Sequence, residues 1–267
     1  MANIKMLGTG HGFVFDIYNT CFLLKNENDF LLVDTGGGAE IVRRLKMCNI
    51  ELKDVHNIFI SHCHTDHILG LMWMLKRMSK LFAKGTYDGK LNIYCNDEVA
   101  KAIPGLYSNL FPTTRVQALN ENINIHILSD GDKFETIGLD FTAIDMKAKK
   151  NTLLGFEVNL DNNKRLCFLG DEECNPEIYP KIKNADYIMH EAFCLDSEQE
   201  IFKPYEHKHS TVKSVCKKMN NLNIKNLILY HTEETHISNR KELYINEGKE
   251  YFTNNIIVPD EMEEIVL

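Results

Sequence analysis

Residues 59–71 read "FISHCHTDHILGL". A short apolar run leads in, and a second apolar stretch begins at Ile68. Between them stand His62, His64, Asp66 and His67, so three of the chain's eleven histidines fall in one short window. On an extended segment, side chains two apart share a face. His62 and His64 therefore point the same way. Asp66 and His67 follow where the chain turns into a helix expected to start near Ile68. One metal ion can take His62 and His64, and a second can take Asp66 and His67. Neutral imidazole with carboxylate suits zinc, manganese or iron. A polar turn with a helix-capping aspartate would explain one Asp or one His, but not the whole H-x-H-x-D-H pattern. Alternation points Cys63 away from the two histidines that flank it.

Working outward, 267 residues suit one large or two small domains with a substantial core. The net charge of -8 makes the average surface repel nucleic acid and anionic lipid, although a local basic patch can still bind either. The opening "MANIKMLGTGHG" has no basic-then-apolar signal pattern, and no stretch is apolar enough to span a bilayer. These features lead us to expect a cytoplasmic protein with no membrane partner. The eight cysteines are scattered with no C-x-x-C pair, and in a reducing compartment they read as small buried hydrophobes.

Short apolar runs alternate with helical patterns. "NIKML", "CFLLK", "FLLVD", "NIFIS" and "LNIYC" read as strands, and "AEIVRRLKMCN" and "ILGLMWMLKRMSK" as helices. The Met-rich spacing of the second helix reads as core packing. Around Glu121 several strands follow one another: "INIHIL", "LDFTAIDM", "LGFEVNL" and "RLCFLG". Alternation then resumes through "DYIMHE", "TVKSVCKKMNN", "NLILYH" and a last helix near Arg240–Lys249. The pattern predicts mixed α/β structure in two halves, roughly 1–120 and 121–267, with sheets covered by helices. Strand ends carry chemically capable residues: Asp34, His62, Asp171, His190, Glu191 and His231. Strand carboxyl ends are where open α/β sheets place their sites.

The ordered set of motifs resembles the metallo-β-lactamase superfamily, and within it the ribonuclease Z-like branch. The segments are "MLGTGHG", "VDTGGG", "FISHCHTDHILGL", "FLGDEE", "MHEAF", "KHST" and "LILYHT". The resemblance covers nearly the whole chain. It implies one metallo-β-lactamase-like domain over 1–267, a four-layer αβ/βα sandwich of two mixed sheets flanked by helices. It implies two divalent ions, zinc first, with manganese or iron compatible. Site one would use His62 and His64. Site two would use Asp66, His67 and His231, with Asp171 bridging the ions. Asp66 would orient or deprotonate the attacking water. His209, held by Glu191, would protonate the leaving oxygen. A His–carboxylate pair suits that task, because the carboxylate fixes the tautomer and stabilises the imidazolium.

The sequence departs from that pattern twice. Site one in this superfamily takes a third histidine from the strand in "FTAIDMKAKKNTLLGF", and here there is none. The expected position falls near Lys147, with Asp145 two residues before it. A protonated lysine cannot ligate. Three outcomes are open: Asp145 or a water completes site one, site one is weak or empty, or Lys147 binds a substrate phosphate. His207 is a more distant candidate ligand. The second departure is the absence of the inserted arm by which ribonuclease Z enzymes grip tRNA. A tight "DNN" hairpin over residues 161–163 takes its place. A partner subunit could supply the arm, since some relatives form homodimers.

The expected function is a metal-dependent hydrolase, foremost a phosphodiesterase acting on RNA or a small nucleotide phosphodiester, with tRNA processing as the branch's own role. The alternatives are an ester, thioester or lactam hydrolase on the same fold, or a non-catalytic nucleotide- or RNA-binding descendant. His11 sits after a turn that points toward the site. The glycines of "VDTGGG" lack the Lys-Ser/Thr of a phosphate loop and read as allowing close backbone approach. "CLDSEQEIFKPYEHKHS" reads as a loop over the site. His236 with Glu233 and Glu234 lies beside the site or in solvent, and His56 and His126 are structural.

Overall fold

A computed structural model describes residues 2–148, 151–161 and 163–267. Its strands run, in chain order, β1 (Asn3–Gly8), β2 (Cys21–Asn26), β3 (Asp29–Val33), β4 (Asn57–Ile60), β5 (Leu91–Cys95), β6 (Ile123–Ile127), β7 (Lys133–Thr136), β8 (Leu139–Asp145), β9 (Leu154–Asn159), β10 (Arg165–Phe168), β11 (Tyr187–Glu191), β12 (Asn226–Tyr230), β13 (Asn255–Ile257) and β14 (Glu264–Val266). One seven-stranded sheet has the order β14-β1-β2-β3-β4-β5-β6, and the other β13-β12-β11-β10-β9-β8-β7. Within the first sheet β3, β4, β5 and β6 pair in parallel. Within the second, β10, β11, β12 and β13 do. Parallel pairing sets carboxyl ends side by side, so Asp34 and His62 line up at the end of the first sheet, and Asp171, Glu191 and His231 at the end of the second.

Between the sheets lies an apolar layer of Ile4, Met6, Phe22, Phe59, Phe141, Phe156, Phe168, Met189 and Tyr230. Phe156 touches Phe59, Phe141 and Phe168 with ring centroids 5.2, 5.3 and 5.4 Å away. Such aromatic pairs add about 0.5–1.5 kcal/mol each beyond the area they bury. The outer face of the first sheet packs on α1 (Glu40–Met47), α2 (Thr65–Ala83), α3 (Asp97–Leu110) and α4 (Thr113–Asn122). The outer face of the second packs on α5 (Tyr179–Ile182), α7 (Val212–Asn221) and α8 (Arg240–Lys249), with the short α6 (Gln199–Phe202) lying between α5 and α7 in the chain. The result is the four-layer αβ/βα sandwich that the resemblance implies. The loop expected over 194–210 contains α6 and two short 3-10 turns, Asp196–Glu198 and Pro204–His207.

Helix α2 begins at Thr65 rather than near Ile68. The backbone N–H groups of His67 and Ile68 already donate to the His64 carbonyl, so Asp66 and His67 stand in the first turn. A carboxylate there is favoured by the helix dipole. Gly70 lets this helix approach the first sheet: a Cβ there would lie 1.9 Å from the Thr35 carbonyl oxygen. Strands β9 and β10 form a close hairpin, with Arg165 opposite Asn159 and Leu160 N–H donating to Lys164 O at 2.8 Å. Asn162 of the expected "DNN" turn lies outside the described residues.

Candidate metal centre

The rim gathers its residues from five segments. Asp34 (φ 55°) and His231 (φ 59°) hold left-handed backbone just past β3 and β12. Non-glycine residues rarely adopt that region, and such strain collects at functional sites. His62 and His64 follow β4, Asp66 and His67 open α2, and Asp171 follows β10. Ligand atoms of Asp66, His67, Asp171 and His231 all lie within 4.8 Å of one another, and so do those of His62, His64 and Asp171. Asp171 belongs to both groups. Its Oδ2 is 3.2 Å from His67 Nε2 and 3.6 Å from the Nε2 atoms of both His62 and His231. Asp66 Oδ2 is also 3.2 Å from His67 Nε2.

The residues fit a cation. Nε2 of His62, Nε2 of His67 and Oδ1 of Asp171 are all buried without a hydrogen-bond partner. Unpartnered buried polar atoms are rare in folded proteins, and here they converge. The far nitrogens are held from behind, as metal-binding imidazoles usually are. His67 Nδ1 lies 2.8 Å from Asp34 Oδ2, His62 Nδ1 3.0 Å from Ser61 Oγ, and His231 Nδ1 3.0 Å from Thr20 Oγ1. Asp34 in turn accepts from Ser61 N–H and Ser61 Oγ, each at 2.8 Å. On exposed His64, Asn151 Nδ2 lies 2.8 Å from Nε2, which leaves Nδ1 as the nitrogen open to an ion.

The electrostatics agree. Burial works against the Asp171 carboxylate, yet His62 and His67 hold it well below its ordinary range. Burial likewise opposes the Asp66 charge, and His67 and His231 pull its pKa down. The carboxylates of Asp66, Asp34 and Asp171 overcome burial and hold the His67 imidazole well above its usual range. A positive charge is therefore favoured among these carboxylates, whether carried by a proton or by a metal ion. Burial lowers His62 to about 4, which keeps it a neutral donor.

Beside this group, His209 Nδ1 faces Glu191 Oε2 at 3.8 Å. Both atoms are buried and otherwise unpartnered, while Glu191 Oε1 accepts from Ser210 N–H at 2.7 Å. Burial drives both groups toward neutrality, Glu191 upward and His209 downward. His209 stacks on Phe193 at 4.9 Å, and its ring centroid is 5.3 Å from that of His231.

Other residues singled out from the sequence lie elsewhere. Asp145 accepts from the backbone N–H of Lys147 at 2.8 Å and pairs with Lys147 Nζ at 2.9 Å. Neither residue, nor exposed His207, joins a metal-competent group among the described residues. His190 points away from the rim: strand alternation separates it from Glu191, and its Nδ1 donates to the Glu191 carbonyl at 2.6 Å. His11 lies near the rim, its ring 4.5 Å from that of Phe193 and 6.4 Å from that of His231. Cys63 packs among the helices of the first sheet, as alternation predicts. Sequence reasoning missed Ser61, Thr20 and Asn151. Ser61 adjoins the motif, but nothing local marks Thr20 or Asn151.

Comparison with known proteins agrees with this architecture. Ribonuclease Z of Archaeoglobus fulgidus is 24% identical over 87% of this chain and 87% of its own. The metallo-β-lactamase fold protein YhfI of Bacillus subtilis superposes with a TM-score of 0.79 at 16% identity, over 99% of this chain and 98% of that one. The short form of human tRNase Z superposes with a TM-score of 0.72 at 19% identity, over 99% and 98% of the two chains. The fold is the metallo-β-lactamase fold. The sequence profile of one family, described as Anti-Pycsar protein Apyc1, matches residues 2–256, and the chain belongs to that family.

Proposed function

We propose that this protein is a metal-dependent phosphodiesterase, with a site similar to that of ribonuclease Z, acting on RNA or a small nucleotide phosphodiester. One observation carries the reading: two donor groups share Asp171, and a buried His209–Glu191 pair stands beside them. Asp66, His67, Asp171 and His231 would hold one ion, and His62, His64 and Asp171 the other. This donor set suits zinc, with manganese and iron compatible. Two ions held there supply a water of lowered pKa and stabilise the oxygens of an in-line phosphoryl displacement.

The chain's own residues do the rest. The Asp66 carboxylate, ionised and facing the rim, orients the attacking water and accepts its proton. His209 gives a proton to the leaving oxygen. Glu191 faces Nδ1 of that imidazole and positions the ring. The ring of Phe193 holds His209 flat from one side. Lys147, engaged by Asp145 near the open edge, is free to exchange that partner for a substrate phosphate. The close β9–β10 hairpin leaves no tRNA-gripping arm there, and the net charge is -8. Both points favour a small phosphodiester over a folded tRNA.

Turnover of bis(p-nitrophenyl) phosphate with manganese or zinc tests the reading. Asp66→Ala is expected to lower kcat by at least about a thousandfold. Equal activity in that variant, or turnover of nitrocefin or a thioester in place of the phosphodiester, would overturn it.

A further inference from the structure

A second cluster of metal-competent chemistry lies apart from the centre above. Glu198, Glu233 and His236 each offer a ligand atom, and these atoms lie within 4.8 Å of one another. Glu233 is 1% exposed. Its Oε2 accepts from the Thr235 backbone N–H, but its Oε1 is buried with no hydrogen-bond partner. Oε2 of Glu198 is buried and unpartnered too, while its Oε1 meets His236 Nε2 at 2.6 Å. Two carboxylates this close, one wholly out of water, repel unless a positive charge stands between them.

Within the cluster His236 can carry that charge, since its hydrogen bond to Glu198 favours the protonated imidazole, and a metal ion would take the place of that proton. The Arg240 guanidinium is committed elsewhere, to Thr9, Thr232, the Pro259 carbonyl and Asp260. Burial and the carboxylates of Glu198, Glu233, Glu191 and Glu247 all push the nearby Cys194 thiol upward, so the local field is negative.

We propose that Glu198, Glu233 and His236 form a further divalent-cation site, distinct from the paired centre. Two carboxylates and one imidazole suit zinc, manganese or iron(II), with water filling the open positions. Its role is structural. Glu198 closes the 3-10 turn Asp196–Glu198 that starts the segment leading to His209. Glu233 follows the strand end that carries His231. An ion at this place clamps the two segments together and so fixes the approach of His209 to the rim.

The test counts ions. Protein stripped by chelator and reloaded with manganese, and separately with zinc, is analysed by inductively coupled plasma mass spectrometry. His236→Gln and Glu198→Gln should each hold one ion fewer per chain than wild type. Hydrogen exchange over residues 196–209 should slow on reloading in wild type and not in either variant. The same ion count in wild type and both variants would overturn the proposal, whatever the paired centre holds. A check that needs no variant is manganese anomalous scattering from wild-type crystals. A peak among these three side chains supports the site, and its absence when the crystals are soaked to saturation refutes it.

Discussion

At one position of the paired centre, Asp66, His67 and His231 surround Asp171. All four are buried, and both imidazoles are held from behind, His67 by Asp34 and His231 by Thr20. At the other position, His62 is buried and backed by Ser61, but His64 is exposed and meets only Asn151. The first position has four protein donors and the second has three. The further histidine that the resemblance leads one to expect is absent from the sequence, and Asp145 is tied up by Lys147. Dry surroundings and fixed donor orientation both strengthen ion binding. The two positions would therefore be unequal, the four-donor one holding an ion tightly and the three-donor one holding it more loosely.

Four substitutions break or sharpen that contrast. The largest effect is expected from Asp171→Ala, because the shared carboxylate serves both positions. Affinity at each should fall by at least about a hundredfold, read by chelator competition. A variant that keeps one ion at full strength would mean the groups do not share this residue. Next is Asp34→Ala, which removes the partner of His67 and touches no ion directly. A loss of about 10–100-fold is expected at the four-donor position, with a smaller loss at the other, which Asp34 reaches only through Ser61. An equal loss at both would show that Asp34 shapes the whole rim.

Lys147→His restores the imidazole of the superfamily pattern and releases Asp145. The three-donor position should then bind about tenfold more tightly. No gain would mean that residue 147 points away from the ion even when it can ligate. Last comes His190→Gln, expected to leave metal content unchanged because His190 lies on the opposite face of β11. It should alter acid stability instead. Burial lowers the His190 pKa to about 4, against ~6.5 in the unfolded chain. Between those values the unfolded state binds the extra proton, so this group's contribution is intact above the unfolded pKa and is lost as the pH falls toward the folded one. The loss is about 2 kcal/mol from pH 7 to pH 4.5. Urea unfolding across that range should show a shallower slope in the variant.

How much of this was legible in the sequence follows from how local each signal is. His62, His64, Asp66 and His67 sit within one strand–helix junction, so their spacing alone reads as a metal-binding pattern. Asp171, Glu191 and His231 each end an apolar run, and parallel pairing then brought those ends together. The sequence reading starts helix α2 near Ile68, although the backbone already turns at His64. Helices α3 and α4 have no counterpart in the sequence reading: the Pro104–Gly105 pair inside α3 is an ordinary break signal. Thr20 and Asn151 come from distant segments and reach the rim only through tertiary packing, so no local pattern could mark them. Asp145 reads as a candidate ligand only because it lies two residues before the position where the resemblance expects a histidine. Its capture by Lys147 depends on the left-handed turn at residue 147 (φ 57°), which the sequence does not announce.

The most direct test of the unequal centre is zinc anomalous scattering from crystals soaked over a range of zinc concentrations. The account predicts a first peak among Asp66, His67, Asp171 and His231 at limiting zinc. A second peak, between His62, His64 and Asp171, should fill only at higher concentration. Equal filling of both positions, or a first peak at His62 and His64, would contradict it.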